Sequence, residues 1–472
     1  MKKIWIFAIA SLFFVREIRA QFDLLTYDFR RHPAAVFSDP ASGQARFWLV
    51  TPLIPQTQFQ VKLSGPTAYD LFAADGRDFN DKWRQALENI RPSQGLLLEN
   101  KNLWLAAGWR RDEQTFRLGL YTQFHVWAFH PASFYRLALY GNLDRPGEKV
   151  YFRELNFNTE LVHVLFAGWA KNWSSGWKTG INFKIYNSAG NISSYGNSGT
   201  FYYEPSGQNN YYTHVVDHIN LQVHSSGLGR LILEDKAGQS SVNEAAVRRD
   251  IIDRLNGTNN WGLGVDLGFR KPLDARWEAA LSIEDLGFIR YADDNYSLYS
   301  HGSYRYEGID VVFPENPVDY WGQVRDNFKE KVPTDTLRAV FFKMRPFKLY
   351  TSLRYTFPGR KINDYACYRP GRGDYDAPGK PHSYAGIVLF YQNLQGKPYW
   401  GAGAYLQWVA ARWLQFRLTY GSDSYIKHNI GLGVQWHIGP WHAYLMADNL
   451  LGYTNLAASH GQYIGLGTYW AF

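Results

Sequence analysis

Cysteine is nearly absent from this sequence, since Cys367 is the only one in 472 residues. A single cysteine excludes an intramolecular disulfide framework and a thiolate-rich metal cluster. Methionine is also scarce, with 3 residues, and the mean hydropathy is negative. After residue 20, no apolar run approaches the roughly 20 residues that a membrane-spanning helix needs. These absences exclude a disulfide-rich secreted module and a helical membrane protein.

The first twenty residues have the layout of a secretory signal peptide. Two lysines precede the apolar stretch Ile4 to Val15, and the polar stretch Arg16 to Ala20 follows it. We predict export and cleavage after Ala20, which leaves residues 21–472 as one domain. A retained N-terminal anchor is the alternative, but the apolar stretch is short for a spanning helix.

Aromatic residues are abundant, at 17% of the chain, with 18 Trp, 33 Tyr and 30 Phe. Amphipathic rings collect at both interfaces of a membrane. A membrane protein that lacks apolar helices must close its backbone hydrogen bonds as a β-barrel. The net charge of +8 is dispersed among acidic residues and forms no basic stripe, so we expect no nucleic-acid partner.

Period-two alternation of apolar residues with polar residues or glycine is the main signal for the fold. It is clearest in Ile464 to Phe472 and recurs in 430–438, 413–420, 347–357, 261–270, 177–186 and 116–126. Strands of about 9–11 residues cross the hydrocarbon layer when tilted. We predict an all-β, transmembrane antiparallel β-barrel of about 14 strands, with 12 or 16 as alternatives, in the bacterial outer membrane. A soluble β-sandwich is the weaker alternative, because its strands are shorter.

Charged side chains fall on the glycine-rich faces of these segments. An Arg or Lys on the lipid side at mid-depth costs about 2–4 kcal/mol, so this face is expected to line the lumen. The candidate lumen-facing residues are Arg117, Lys178, Lys184, Asp266, Arg270, Arg276, Glu278, Glu284, Lys348, Arg354, Arg417 and His437. Opposed charges inside a barrel either neutralise each other, which we favour, or set ion selectivity.

Three segments have helical periodicity instead, at 78–92, 131–140 and 317–331. They are expected to be plug or gating elements in the lumen, helices flat on the membrane, or ordinary loop helices at a barrel end, and we favour the last. Residues 188–210 predict an external loop or a strand extension. Residues 359–381 predict a loop whose Arg-Gly-Asp tripeptide is too short to indicate adhesion, and 225–258 stay unassigned.

No residue pattern indicates catalysis. The histidines at 125, 163, 437 and 442 have no Gly-x-Ser-x-Gly sequence or other spacing that fixes a nucleophile beside a base. His437 and His442 flank Gly439-Pro440, so their imidazoles are expected to approach each other, although polar residues at a barrel rim explain them equally well. We predict no catalytic residue, no metal site and no cofactor.

Several short motifs resemble a known family. They are His32-Pro33-Ala34-Ala35, Phe47-Trp48-Leu49, Leu103 to Gly108 followed by Phe116 to Phe124, and Asn429 to Gly433 continuing to Ala447 to Gly452. Their order resembles an uncharacterised family of outer-membrane barrel proteins from the Bacteroidota phylum, with His32 in place of the usual Asn of an Asn-Pro-Ala segment. The chain is more distantly similar to long-chain fatty acid transporters, a likeness that implies a plugged lumen, and to barrel accessories of the secretion system of that phylum.

Two functional hypotheses follow, and lumen packing distinguishes them. The first is a channel or transporter for small or hydrophobic solutes. The second is a non-conducting structural barrel that binds outer-membrane or secretion-system proteins through its loops and rim. A barrel hydrolase is a distant third. In each case outer-membrane lipid is the expected surrounding partner.

Overall fold

A computed structural model describes residues 24–29, 32–42, 46–88, 90, 93–141, 146–205, 212–227, 249, 252–308, 319–358, 383–411, 413–426 and 428–472. The signal-peptide prediction for residues 1–20 and the 359–381 loop lie outside these residues. None of the helices within the described ranges has the length and apolarity needed to cross a membrane.

Fourteen wall strands follow one another around the barrel. In order they are the first strand, formed by β1 (Phe47–Val50) and β2 (Gln56–Leu63), then β3 (Ser93–Arg111), β4 (Gln114–Pro131), β6 (Asn156–Asn172), β7 (Lys178–Ser194), β10 (Trp261–Pro272), β11 (Trp277–Tyr291), the strand formed by β14 (Phe341–Met344) and β15 (Lys348–Thr356), β16 (Tyr384–Leu394), β17 (Lys397–Ala411), β18 (Leu414–Asp423), β19 (Asn429–Ile438), β20 (Trp441–Asp448) and β21 (Gly461–Ala471).

Each wall strand pairs antiparallel with the strands before and after it, and β21 pairs back with β1 and β2. The sheet is therefore closed. Closure provides hydrogen-bond partners for the backbone N–H and C=O groups that would be unpaired at an open sheet edge. The predicted antiparallel barrel and its strand number are confirmed.

The connections differ between the two ends of the barrel. At one end of the barrel, short turns join β3 to β4, β6 to β7, β10 to β11, β17 to β18 and β19 to β20. Phe472 lies at the same end. We call this the short-turn end and the opposite one the long-loop end. The connection from β15 to β16 also leaves from the short-turn end, where the Phe357 amide donates to the Ser383 carbonyl at 2.9 Å. Short turns on one side and long loops on the other are typical of membrane barrels. Two connections depart from this pattern here: the long one from β15 to β16, and the two-residue turn Gln395–Gly396 from β16 to β17 at the long-loop end.

The alternation in the sequence places apolar side chains outside and polar ones inside. In β18, Leu418 and Tyr420 are exposed whereas Arg417 and Thr419 are buried. On the outer face, direct cross-strand partners form a continuous apolar row across seven strands. The row consists of Leu105, Leu120, Leu165, Ile185, Leu263, Phe288 and Met344. An exposed apolar surface of this extent is what a lipid-facing belt requires.

Several α-helices are not part of the wall. They include α1 (Ala35–Ser38), α2 (Ala68–Phe72), α3 (Phe79–Glu88), α4 (Ser133–Tyr140) and α5 (Tyr320–Lys331), with 3₁₀ turns at Phe152–Glu154, Leu450–Thr454 and Leu456–Ala458. Residues 252–256 are also helical. The helices predicted at 78–92, 131–140 and 317–331 are present as α3, α4 and α5. All three belong to connections at the long-loop end, as favoured. The apolar face predicted for α5 is not buried, since Trp321 is 72% exposed.

Beyond the wall, a side sheet continues the barrel at the long-loop end. It contains β5 (Val150–Tyr151), β8 (Ser198–Pro205), β9 (Tyr212–Ser226), β12 (Asn295–Tyr306) and β13 (Thr334–Leu337) in that order. Strand β9 also pairs with the end of β7 at residues 191–193. Of the predicted segment 188–210, residues 188–205 therefore follow the second alternative, a strand extension, and residues 206–210 lie outside the described residues.

Candidate functional site: the filled barrel lumen

An N-terminal segment occupies the inside of the barrel. We call residues 24–42 the plug, of which 24–29 and 32–42 are described, and every described plug residue is buried. Among the described plug residues, the helix α1 is the one regular element. The plug contacts strands around the whole circumference, mostly in the half of the lumen nearer the short-turn end.

A cluster of three carboxylates and three cations joins the plug to the wall, and we call it the anchor cluster. Asp28 and Asp39 come from the plug, and Glu278, Arg270, Arg354 and Lys178 come from the wall. Arg270 contacts Asp39 and lies 2.6 Å from Asp28 and 2.7 Å from Glu278, while Arg354 lies 2.8 Å from Asp28 and 2.5 Å from Glu278. Lys178 reaches Glu278 at 2.8 Å. Buried charges are tolerated when they are paired in this way.

Two further wall arginines hold the plug backbone. Arg417 donates to the carbonyl oxygens of Leu24, at 2.8 Å, and Tyr27, at 2.5 Å. Arg117 donates to the carbonyl of Pro40 on another side of the lumen. These bonds satisfy carbonyl groups that the irregular plug cannot pair within itself.

Small wall residues leave room for the plug. A Cβ at Gly180 would collide with the Pro40 carbonyl, and one at Gly268 would collide with the Ala41 amide. Nearby, Asn182 donates to the Val36 carbonyl at 3.0 Å and Ser282 to the Ser38 carbonyl at 2.6 Å. The inner face of the wall is thus shaped to the plug.

Aromatic contacts complete the plug's packing. The Phe37 ring lies edge-on to Tyr121, with ring centres 4.9 Å apart, and Tyr27 stacks on Tyr350 at 5.1 Å. His32 lies edge-on to Tyr444 at 4.1 Å, and its Nδ1 accepts a hydrogen bond from the Ala34 amide at 3.1 Å. Burial, together with the charge of Arg417, lowers the pKa of His32 to about 3. This plug histidine is therefore neutral at physiological pH.

A second layer of ion pairs fills the lumen between the plug and the long-loop end. Lys184 lies 2.7 Å from Asp266 and 2.6 Å from Asp285. Arg345 contacts Glu160 and lies 3.5 Å from Asp285. All five side chains are almost fully buried. The charges neutralise each other across the lumen, which is the arrangement that the sequence favoured.

Two further pairs of lumen charges are arranged in the same way. Lys101 lies 2.8 Å from Glu284, and Lys348 lies 3.0 Å from Glu99. Through the described residues, the axis of the barrel is therefore occupied first by the plug and then by ion pairs.

The structure places eleven of the twelve predicted lumen residues on the inner wall. Ten contact the plug or take part in ion pairs, and His437 lies beside His442 near the short-turn end. Arg276 is the exception and the prediction was wrong there. It lies exposed in the turn between β10 and β11, where it donates to the Tyr355 hydroxyl at 3.1 Å. The strand after the turn begins only at Trp277, so Arg276 belongs to the turn and not to the inner face of β11.

The first wall strand is interrupted inside the apolar belt. Its pairing with β21 stops at Leu49–Trp470 and resumes at Thr57–Leu466. Seven residues, 50–56, therefore face only three on β21, a surplus of four. On the other side, the pairing with β3 stops at Val50–Ala106 and resumes at Gln56–Leu103. We call Pro52–Pro55 the wall insertion, because removing these four residues would restore the register with β21.

The wall insertion points outward. Leu53 is 91% exposed and Ile54 is 48% exposed. The insertion faces Leu105 of β3, which belongs to the apolar row across seven strands, so it lies at the depth of the lipid-facing belt. Just beyond it, towards the long-loop end, a small cavity lies between the same three strands. Its lining residues are Gln58, Phe59, Gln60, Glu99, Lys101 and Tyr463.

The sequence analysis did not identify the plug. Residues 24–42 have neither of the two periodicities that were searched, and only His32 to Ala35 drew notice, as part of a family motif. One available signal was the length of chain between the predicted cleavage after Ala20 and the first strand at Phe47. A second was the pair of acidic residues Asp28 and Asp39 in a segment that has neither strand nor helix periodicity.

The chain matches the model of a family of unknown function (DUF5723) over residues 40–448. It belongs to that family. No curated protein matches it. Among solved structures it is similar to a Pseudomonas aeruginosa FadL homologue, at 10% identity and a TM-score of 0.42, covering 94% of this chain and 95% of that one. It is also similar to the Pseudomonas putida toluene transporter TodX, at 9% identity, a TM-score of 0.38 and coverage of 93% and 92%.

A third similar structure is the translocator domain of the autotransporter NalP from Neisseria meningitidis, at 8% identity and a TM-score of 0.30, covering 91% of this chain and 90% of that one. At such identities and scores, the likeness does not extend to what this family member binds or moves.

Proposed function

We propose that this protein is a channel of the bacterial outer membrane for small apolar solutes, closed along its axis by the plug and open to exchange with the lipid at the wall insertion. The outer belt of apolar side chains supports insertion in that membrane, with lipid as its surrounding partner. The interrupted first strand is the observation that carries the proposal. A four-residue surplus within the belt is costly to keep in a wall whose backbone groups must all be paired.

The axis is a poor route for a polar solute. A solute moving along it would have to displace the plug from the anchor cluster and then part the buried pairs of Lys184 and Arg345. Breaking one buried ion pair by removing a partner costs about 3–5 kcal/mol. The wall insertion has no such barrier. Its side chains are apolar. The cavity beside it is lined by the rings of Phe59 and Tyr463, the amides of Gln58 and Gln60, and the ion-paired side chains of Glu99 and Lys101.

Deleting Pro52–Pro55 tests the lateral route. The deletion leaves Thr51 opposite Trp104 and Leu105, where β3 already has a bulge, and restores a matched register with β21. Transfer of a small apolar dye, which fluoresces on leaving water, is measured in liposomes that contain the purified protein. We expect the deletion to abolish protein-dependent transfer. A control that replaces the four residues with Gly-Ser-Gly-Ser keeps the gap and should retain transfer.

Removing residues 21–42 tests the plug in the same liposomes and in planar bilayers. We expect the full protein not to conduct ions. The shortened protein should conduct them, because the deletion removes the plug, including Asp28 and Asp39 of the anchor cluster. Heat-dependent mobility on gels checks that each variant is a folded barrel. Unchanged dye transfer after deletion of Pro52–Pro55 would contradict the lateral route.

The second candidate is a non-conducting barrel that binds partner proteins, and the plug and buried ion pairs that fill the described part of the lumen favour it. If neither the full protein nor the variant without residues 21–42 passes dye or ions, this candidate replaces the first. The side sheet of β5, β8, β9, β12 and β13 is then the surface to test for partners from the outer membrane or the secretion system.

A further inference from the structure

Two histidines lie side by side on the inner wall near the short-turn end. His437 of β19 and His442 of β20 are direct cross-strand partners. Their ring centres are 4.3 Å apart and their planes are inclined by 51°. Tyr469 of β21 continues the same row, with its ring 4.8 Å from that of His442.

The local sequence fixes this arrangement. Gly439 and Pro440 form a two-residue turn, with Gly439 at a φ of 61°. The pair Ile438–Trp441 closes the hairpin, and Ile438 faces outward with 60% exposure. Because side chains alternate along a strand, the next pair must face inward together. Both imidazoles are largely buried, at 9% and 7% exposure, yet they lie only one residue pair above the mouth of the lumen.

We propose that His437 and His442 together bind one divalent transition-metal ion at the short-turn mouth of the lumen. Neutral imidazoles suit Cu²⁺, Ni²⁺ and Zn²⁺. A metal–nitrogen bond is about 2.0–2.1 Å long, so one ion bridges two ring nitrogens that are up to about 4 Å apart. Ring centres 4.3 Å apart, on rings that can rotate about their side-chain bonds, allow one nitrogen of each imidazole to come within that distance. The proposal is independent of the channel function and departs from the sequence-based expectation of no metal site.

The residues around the two histidines determine which other ligands the bound ion would have. Within the described ranges, no group of three His, Cys, Asp or Glu residues could hold a metal ion. Water therefore completes the coordination of the two-histidine site, which makes the ion exchangeable. Gln435 donates to the Tyr469 hydroxyl and so fixes the ring that lies against His442. The plug's His32 is not a ligand, because its Nδ1 accepts from the Ala34 amide.

Copper titration followed by electron paramagnetic resonance tests the proposal. The mature protein, purified without a histidine tag, is titrated with Cu²⁺, and the nitrogen splitting in the spectrum counts the imidazole ligands. We expect one bound ion with two nitrogens. The single variants His437→Gln and His442→Gln should each reduce this to one nitrogen, and the double variant should lose the site.

The matched control is the double variant His301→Gln with His428→Gln, two exposed histidines at the long-loop end. It should bind Cu²⁺ as the natural protein does. The same two-nitrogen spectrum in the double variant at 437 and 442 would overturn the proposal, and so would the absence of any two-nitrogen species in the natural protein. Heat-dependent mobility on gels establishes that the variants remain folded, and competition by Zn²⁺ for the same site would extend the assignment to that ion.

Discussion

The guanidinium carbon of Arg417 lies 3.9 Å from the ring centre of Tyr405. Stacking orients the guanidinium so that its donors point at the carbonyls of Leu24 and Tyr27. The Tyr405 hydroxyl in turn donates to Asp28 at 2.6 Å. One stacked pair on the wall thus holds both the backbone and a charged side chain of the plug.

Replacing Arg417 by Lys should loosen the plug while preserving the charge. An ammonium group neither stacks as a plane nor donates in a fork. Hydrogen bonds to charged groups contribute about 1.5–3 kcal/mol each, so the loss of one should expose the start of the plug about 10-fold more often. Labelling of Leu25→Cys by a water-soluble maleimide, in a Cys367→Ser background, measures that exposure. Arg276→Lys, in an exposed turn, should leave the labelling rate unchanged.

The anchor cluster predicts a strong coupling between Arg270 and Asp39. Arg270→Met leaves three carboxylates with two cations in contact, and it should lower the free energy of unfolding by about 3–5 kcal/mol. Adding Asp39→Asn restores the balance and should recover part of this loss. Urea unfolding in detergent micelles gives the four values of the cycle. Additive effects would mean that the two side chains act independently, as expected for the exposed control pair Arg305–Glu204.

His32 predicts a pH dependence of stability. Its folded pKa of about 3 lies below the unfolded value of 6.5, so below pH 6.5 the unfolded chain binds the extra proton. Stability should therefore fall as the pH falls from 6.5 towards 3, by at most about 1.4 kcal/mol per pH unit from this residue. His32→Gln should flatten the pH profile of the unfolding free energy over that range. His428→Gln, an exposed control, should leave the profile unchanged.

Leu53 should lie in lipid. A nitroxide attached to Leu53→Cys, in the Cys367→Ser background, is expected to relax more strongly with oxygen than with a water-soluble nickel complex. The matched control is Leu451→Cys, at a leucine that is 62% exposed at the long-loop end and should show the opposite preference. Equal preference for the nickel complex at both positions would place the wall insertion in water.

The wall was predictable from sequence because membrane and lumen impose opposite chemistry on alternate residues. Segments such as 347–357 and 430–438 carry that alternation on their own, without knowledge of their neighbours. The position of Arg276 was missed because a charged residue at a turn and one in the lumen look alike when the strand end is uncertain by a few residues.

The plug was not predictable in the same way. Its fold is set by contacts with strands far away in sequence, such as Asp28 with Arg354, and an irregular segment has no period of its own. The wall insertion was also missed, since a surplus of four residues exists only relative to the register of β21. The sequence alone also could not show which carboxylates pair with Arg345, because Glu160 and Asp285 lie on different strands.

The pairing of the first strand with β21 brings together residues from opposite ends of the chain, such as Trp48 and Ala471. Contacts of such long range form late, because the intervening chain must first be ordered. We expect the plug to be in place before the circle completes, because every described plug residue is buried inside the closed wall. During biogenesis the wall would therefore close around the plug. The last pairing to form would be that of the first strand with β21, which the wall insertion weakens.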